Sequence, residues 1–279
     1  MSYVIEKPKL PEKMQMRYVI SELKSIPASL ELEKSSKLVE DLLADTRIKS
    51  MLNAVNTMLV GYLKYNDHGW SHAVIVARNA VKILKILLKR GIQPSMVAYR
   101  FGDLDDSFFV TLLASFLHDV GNMVHRSFHW SHSVHISYDL IWDYINKYYD
   151  KADLNRKWVI FAHVANAIYS HDERVKAFTI EASAIKVGDG CDMAAGRSRK
   201  PYTGKVDIHS VSAWSITEVE ITDGERRPIK IRINMTNPAG IFQVEEILMK
   251  KVETSILANQ IEYDIRVNDK PIRLAKSPV

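Results

Sequence analysis

Residues 108–121 read FFVTLLASFLHDVG, and this stretch decides how the rest of the chain is interpreted. Its first ten residues are apolar nearly all round, a pattern that predicts a central buried helix. Gly121 is typical of a helix end. His118 and Asp119 therefore lie at the carboxyl end of a buried helix, where ionisable groups are costly unless they are paired or bound to a metal.

Helical patterns continue on both sides of this stretch. A strongly amphipathic helix begins near Ser71 and ends at Gly91, because a glycine in that position commonly ends a helix. Leucines between residues 38 and 63 repeat at helical spacing and predict earlier helices. Further helices are predicted at 131–148, 156–171 and 179–193.

Near residue 205 the pattern changes to a period of two. Apolar and polar residues alternate in 229–235 and again in 261–267, which predicts two half-buried strands. Between them, Asn237-Pro238 is typical of a helix cap and first helical position. A strand or hairpin is also expected within 206–221. The result is a small β-α-β unit at the C-terminus.

These patterns divide the chain into three predicted parts. Residues 1–50 contain an extended N-terminal arm, which includes one short helix before residue 30, and the first helices. Residues 51–203 form a helical domain, and residues 204–279 form a small α+β domain. The expected fold class is mainly α. The strands of the C-terminal unit leave an edge that proteins usually cover or pair, and a homodimer through this unit is one way to pair it.

Composition limits the classes of function. The 279 residues contain 38 Lys and Arg against 33 Asp and Glu, a net charge of +5 that favours an anionic ligand but makes nucleic acid an unexpected partner. A single cysteine, Cys191, excludes an internal disulfide framework. The sequence contains neither a signal-peptide core nor an apolar run that could cross a bilayer, so we expect a cytoplasmic protein without membrane association.

Two further residues complete an ordered set with the His-Asp pair. His72 begins the amphipathic helix in HAVIVA, and Asp189 lies late in another predicted helix in KVGDGCD. The order His…His-Asp…Asp on three helices resembles the HD superfamily of metal-dependent phosphohydrolases, over about residues 55–200. Within it, the chain resembles a group of uncharacterised predicted HD hydrolases that share NDHG, HD-x-Gly-Asn, Ala-Ile-x-x-His-x-Glu and NPAGIFQVEE-like segments. The resemblance implies an HD-type helical bundle in which His72, His118, Asp119 and Asp189 bind a divalent metal, with His118 and Asp119 carrying catalysis.

The chemistry of these residues fits that resemblance independently. Imidazole and carboxylate ligands suit Mn, Fe, Zn, Ni or Co. Such an ion lowers the pKa of a bound water and polarises a phosphoryl oxygen. We therefore expect hydrolysis of a phosphate ester by a metal-activated water, with a small nucleotide or related phosphorylated metabolite as substrate. If two ions bind, Asp119 is the natural bridge, because a carboxylate has two oxygens to share.

Two histidines are candidates for a second ion. His129, in HWSHS, and His171, in AIYSHDE, resemble histidine-containing elements of the same family. The alternative is that both contact only the substrate or the ligands of a single ion. His163 lies eight residues before His171, about 12 Å along a helix, so the two cannot easily share one ion. The sequence leaves open whether one or two ions bind.

Substrate binding calls for cations and further polar groups. Arginine can hold phosphate through two hydrogen bonds at once. The alternative for each arginine is a solvated surface position. Asn122 stands where many HD enzymes carry lysine, which removes that lysine as a candidate. The predicted substrate-binding residues are His68, His125, Arg126, His163, Arg197 and Arg199.

Two other functions remain open from the sequence. One is a cyclic-nucleotide or oligonucleotide phosphodiesterase or nuclease, against which the weak basic excess argues. The other is a non-catalytic, metal-bound ligand sensor, against which the complete ligand set argues. No candidate ligand in this set lies beyond residue 200, so the C-terminal unit is expected to be dispensable for metal binding.

Overall fold

Helices make up most of the residues that the computed structural model describes, which are 15–194 and 208–272. In chain order, the helices are α1 (Met16–Ala28), α2 (Glu33–Ala44), α3 (Thr46–Asn56), α4 (Trp70–Lys89), α5 (Ser95–Ala98), α6 (Leu104–Leu117), α7 (His129–Ile136), α8 (Tyr138–Tyr148), α9 (Leu154–Tyr169), α10 (Ile180–Gly190), α11 (Ile208–Ser215), α12 (Ile241–Gln243) and α13 (Lys250–Glu253). A π-helical segment, Thr57–Tyr62, continues α3. The expectation of a mainly helical chain with a small C-terminal sheet is confirmed.

Helix α6 is the centre of the helical part. It begins with a reciprocal cap, because Asp103 accepts a hydrogen bond from the Asp106 backbone and the Asp106 carboxylate accepts one from the Asp103 backbone. Every residue from Asp106 to Leu117 is buried, and α2, α4, α9 and α10 pack around it. The central buried helix predicted from residues 108–117 is thus confirmed, and His118 follows its last turn.

Helices α4 and α10 approach each other closely at Gly188. A Cβ atom at this position would lie 3.1 Å from the backbone nitrogen of Ala80 and 3.3 Å from the carbonyl oxygen of Val76. The Asn79 side chain donates a hydrogen bond of 2.9 Å to the Gly188 carbonyl. This close contact holds the carboxyl end of α10, with Asp189, beside the first turns of α4.

Two helical predictions need correction. Residues 1–30 are predicted to be an extended arm with one short helix, but the described part of this segment is mostly the 13-residue helix α1, whose buried face packs on α4. The single helix predicted at 131–148 is two helices, α7 and α8, separated at Ser137. Apolar residues continue through that junction, so periodicity alone does not reveal the break.

The C-terminal unit contains a four-stranded mixed sheet. Its strands are β1 (Ile216–Asp223), β2 (Ile229–Met235), β3 (Ile261–Val267) and β4 (Lys270–Ile272). Strands β1 and β2 pair antiparallel, β2 and β3 pair parallel with Ile229 opposite Ile261, and β3 and β4 pair antiparallel. The predicted β-α-β arrangement is confirmed. Within 206–221, however, the described residues begin with α11, and strand geometry starts only at Ile216.

The crossover between β2 and β3 carries the helical residues of this unit. Asn237 caps its first turn by accepting a hydrogen bond of 2.9 Å from the Ala239 backbone. A 3₁₀ turn, α12, a π-helical segment at Val244–Met249 and α13 then follow without a break. The buried residues of the sheet and crossover join the core of the helices. Among the described residues, no helix combines the length and apolar character that crossing a membrane requires.

Candidate metal centre

The ends of three helices bring the four residues of the ordered set together. His72 lies in the first turn of α4, His118 and Asp119 follow α6, and Asp189 lies in the last turn of α10. The Nε2 atom of His72 is 3.2 Å from Nε2 of His118, 3.4 Å from Oδ2 of Asp119 and 3.3 Å from Oδ1 of Asp189. All four side chains are buried.

Asp119 lies between two sets of imidazoles. Its Oδ2 atom is 3.4 Å from Nε2 of His72 and 3.5 Å from Nε2 of His118. Its Oδ1 atom is 3.3 Å from Nε2 of His129 and 3.6 Å from Nε2 of His171. We call His72, His118 and Asp189 the first half-site, and His129 and His171 the second half-site. The two carboxylate oxygens of Asp119 thus face one half-site each.

The imidazoles are oriented by hydrogen bonds on their Nδ1 sides. A backbone carbonyl can only accept, so a ring nitrogen bonded to one carries the hydrogen. The Nδ1 atoms of His118, His129 and His171 lie 2.8, 3.1 and 2.6 Å from the carbonyl oxygens of Ser115, Arg126 and Ile168 respectively. In each of these rings, the Nε2 lone pair is left to point at the centre of the cluster.

His72 is oriented by a carboxylate instead. Its Nδ1 atom lies 2.7 Å from Oδ2 of Asp192, which is itself buried. A carboxylate that holds the far nitrogen of an imidazole is a common outer partner of metal-binding histidines, because it fixes the ring and makes the ligand nitrogen more basic.

The spacing between the Nε2 atoms fits a divalent cation. They are 3.2 Å apart in the pair His72–His118 and 3.0 Å apart in the pair His129–His171. Lone pairs at this separation repel unless a cation or a proton lies between them. Ligands about 2.1 Å from a metal lie about 3.0–3.4 Å from each other, so the donor set fits a metal ion. Three groups of side chains could hold one: His68, His72 and Asp119; His72, His118 and Asp189; and His118, Asp119 and His171.

Burial and neighbouring charges keep the ligands in their metal-binding protonation states. Burial lowers the pKa of His118 to about 3, so its imidazole is neutral at pH 7. Burial alone would raise the pKa of Asp119, but the adjacent imidazoles, in their protonated form at low pH, hold it well below its usual value. The same opposition acts on Asp189, where the Lys251 ammonium and His72 outweigh burial and leave the pKa well below its usual value.

Close backbone packing explains the glycine after the His-Asp pair. A Cβ atom at Gly121 would lie 2.1 Å from the carbonyl oxygen of His129 and 2.4 Å from the backbone nitrogen of Ser133. Ser133 donates a hydrogen bond of 2.6 Å to the His118 carbonyl and accepts one of 2.8 Å from the Gly121 backbone. Helix α7 is therefore held against the end of α6, and this contact places His129 in the cluster.

Arg126 lies at the edge of the second half-site. Its Nη1 atom donates to Oδ1 of Asn122 at 3.1 Å and lies 3.5 Å from Nε2 of His129. Asn122 in turn donates to Oδ1 of Asp119 at 2.8 Å. Asn122 thus joins Arg126 to the central carboxylate. His125 is exposed, and its Nδ1 accepts a hydrogen bond from the Ser127 backbone.

The structure brings some of the predicted substrate contacts to the cluster and leaves others away from it. His68 is brought closer than expected, with Nδ1 3.7 Å from Oδ2 of Asp119. His163 does not lie at the cluster. Its ring is 5.9 Å from that of Phe101, which precedes α6. His118 follows the other end of α6, about 20 Å away along that helix. Arg197 and Arg199 lie outside the described residues.

Sequence reasoning missed Lys251, which belongs to α13 in the C-terminal unit. Its Nζ atom lies 2.7 Å from Oδ2 of Asp189 and 2.9 Å from the carbonyl oxygen of His171. This contact argues against the expectation that the C-terminal unit is dispensable for metal binding. The sequence carried a signal for this position, because Lys251 lies three residues after Leu248 and four after Ile247, so it shares their apolar helix face.

Comparison with known proteins finds one relative at high similarity. The chain is 44% identical over 237 residues to the uncharacterised protein MJ1020 of Methanocaldococcus jannaschii. The alignment covers 84% of this chain and 90% of that protein. No protein-family model matches the sequence, and no solved structure matches it.

Proposed function

We propose that this chain, which belongs to the same protein family as MJ1020 of Methanocaldococcus jannaschii, is a metal-dependent phosphohydrolase of the HD superfamily type. The observation that carries the proposal is the position of Asp119, whose two carboxylate oxygens face separate sets of imidazoles. A carboxylate shared in this way is suited to bridge two divalent ions, and paired ions are a common device for displacement at phosphorus.

The first half-site with Asp119 and the second half-site with Asp119 would each hold one ion. Imidazole nitrogens mixed with carboxylate oxygens favour Mn, Fe, Co, Ni or Zn over Mg or Ca, which prefer oxygen alone. When bound, a divalent metal supplies Lewis acidity, which lowers the pKa of water and offsets the charge on phosphoryl oxygens.

The protein's own contribution is to orient the ligands before substrate arrives. Asp192 fixes the ring of His72, while backbone carbonyls fix His118, His129 and His171. Asn122 fixes Asp119 through Oδ1. Because these groups are already bonded in their working orientation, little rearrangement is needed when the centre binds charge, and such preorganisation is a main source of catalytic stabilisation.

Arg126 is the residue that would bind the substrate's phosphate. It is half-buried beside His129, and its guanidinium is tied to the centre through Asn122. A guanidinium in this position can donate to phosphoryl oxygens while remaining oriented by Asn122. His68, which is more exposed than His72, would contact substrate from the opposite oxygen of Asp119. The substrate class in this proposal is a small phosphorylated metabolite, with nucleotides included.

Metal analysis followed by activity screening tests the proposal. The purified chain should bind Mn²⁺ or Co²⁺ and, with the metal present, hydrolyse p-nitrophenyl phosphate, its bis-ester or a phosphorylated metabolite. Asp119→Ala should remove this activity. His135→Ala is a matched control, because His135 lies exposed on the same helix as His129 and its Nδ1 atom bonds to the Ser131 carbonyl rather than to a candidate ligand. Absence of metal binding, or metal binding without hydrolysis of any monoester or diester, would contradict the proposal.

A further inference from the structure

Lys251 reaches the metal centre from outside the helical part of the chain. It lies on α13, and its ammonium is buried against Oδ2 of Asp189 at 2.7 Å and against the carbonyl oxygen of His171 at 2.9 Å. Asp189 belongs to the first half-site and His171 to the second. One side chain from the C-terminal unit therefore contacts both halves of the centre.

The two oxygens of Asp189 have different surroundings. Oδ1 lies 3.3 Å from Nε2 of His72 and faces the cluster, whereas Oδ2 is held by the Lys251 ammonium. A carboxylate free to rotate about its last bond could offer both oxygens or neither. With Oδ2 held from behind, Asp189 presents one oxygen in a fixed direction, as ligating carboxylates with an outer hydrogen-bond partner do.

The backbone near Lys251 is placed closely against α10. A Cβ atom at Gly190 would lie 3.1 Å from Cδ1 of Leu248 and 3.3 Å from Cδ of Lys251. The absence of a side chain at Gly190, directly after the ligand Asp189, therefore gives this segment room to approach. A larger residue would require the lysine stem to move by a few tenths of an ångström.

Further bonds hold the chain just after α13. Thr254 accepts a hydrogen bond of 2.8 Å from the buried Lys186 side chain through Oγ1 and one of 2.9 Å from the Ala177 backbone through its carbonyl. The Ile256 backbone donates to Ser183 at 3.2 Å. These contacts hold the carboxyl end of the crossover against α10 and against the loop after His171. Together with the close packing at Gly190, they fix the position of Lys251.

We propose that Lys251 is a positioning residue of the metal centre, through which the C-terminal unit sets metal affinity. The inference rests on the proposed metal function, since it takes Asp189 and His171 as ligands. Lys251 fixes the orientation of the Asp189 carboxylate and the backbone of His171. Removing it should weaken metal binding even when the fold is intact.

A buried ammonium could instead change metal affinity through its charge. The charge role and the orienting role predict opposite changes in metal affinity when Lys251 is removed. Repulsion between the ammonium and a bound cation would make metal binding tighter once the charge is removed. Loss of orientation would make it weaker. The bond to the His171 carbonyl favours the orientational role, because it constrains the backbone of a second ligand.

The test uses Co²⁺ as the probe on the full chain and compares Lys251→Met, Lys251→Gln and Lys250→Met. Lys250 is the matched control, since it is the neighbouring residue, is exposed and pairs with Glu246 on the surface. Affinity is measured by competition with a chelator, and the visible spectrum of bound Co²⁺ reports the coordination of the ion. Thermal unfolding without metal separates a change of stability from a change of site.

Lys251→Met should weaken Co²⁺ binding about 10- to 100-fold, the usual cost of losing an outer partner of a ligand, and should alter the spectrum. Lys251→Gln keeps a hydrogen-bond donor without the charge, so its affinity should fall between those of Lys251→Met and the parent. Lys250→Met should bind like the parent. Parental or tighter binding by both Lys251 variants would overturn the inference, including when Lys251→Met is less stable. If the parent itself binds no Co²⁺, the proposed metal function fails first.

Discussion

Asp192 and His72 form a buried pair in which Oδ2 of the carboxylate lies 2.7 Å from Nδ1 of the imidazole. The other nitrogen of His72 points to Asp119, Asp189 and His118. Asp192 lies two residues after the end of α10 and three residues after Asp189. One short segment thus supplies both a candidate ligand and the group that orients another.

Asp192→Ala should therefore weaken metal binding without removing a ligand. The expected loss is about 10- to 100-fold in affinity, because the ring of His72 loses the bond that fixes its orientation and raises its basicity. Titration with Co²⁺ or Mn²⁺ measures it. Asp150→Ala, at an exposed position after α8, serves as the control. Equal affinity in the two variants would show that Asp192 has no part in orienting His72.

Replacing Asp119 should remove more bound metal ions than replacing His129. Asp119 faces both half-sites, whereas the candidate ligands that His129 faces are Asp119, through Oδ1, and His171. We expect Asp119→Ala to bind neither ion and to have no activity. His129→Ala should keep the ion of the first half-site and lose the other. Metal counting by mass spectrometry on the purified variants measures this, and an equal metal content in both would contradict two separate half-sites.

The sequence predicted those parts of the centre that depend on local pattern. An apolar run that ends in His118-Asp119 is visible without a structure, because burial of a helix on all sides leaves no polar face. The alternation in 229–235 and 261–267 likewise predicted β2 and β3 with their correct boundaries. His72 and Asp189 were predicted as ligands because their order with His118-Asp119, at helix ends, resembles the HD superfamily. The structure brings the two side chains together.

What the sequence did not predict depends on contacts between distant segments. Lys251 and Asp189 are 62 residues apart, and their contact follows from the docking of the crossover on α10. His163 was predicted to contact substrate, but a helix position does not say which neighbour a side chain meets, and its ring lies beside Phe101. The break at Ser137 was missed for a related reason, since both α7 and α8 bury apolar residues.

Gly121→Ala should damage both stability and the second half-site. The added Cβ would lie 2.1 Å from the His129 carbonyl oxygen, so α7 must move away from the end of α6. The expected cost in the free energy of unfolding is roughly 1–3 kcal/mol, typical of overpacking. Gly61→Ala is the control, because its Cβ would meet nothing closer than 4.0 Å. Thermal unfolding and metal counting should both separate the two variants, and a Gly121→Ala protein with parental stability and both ions would refute the steric argument.

Arg126→Ala should weaken the binding of substrate while leaving the metal content unchanged. Its guanidinium lies 3.5 Å from His129 and is tied to Asp119 only through Asn122, so it is placed to bind phosphate without serving as a ligand. Hydrogen bonds to charged groups contribute roughly 1.5–3 kcal/mol, which corresponds to about a ten- to hundredfold lower kcat/KM. Arg226→Ala is the control, since that side chain is highly exposed in the hairpin of the C-terminal unit. Steady-state kinetics on any hydrolysed substrate decides the matter. A kcat/KM equal to that of the control, at equal metal content, would place Arg126 outside the substrate site.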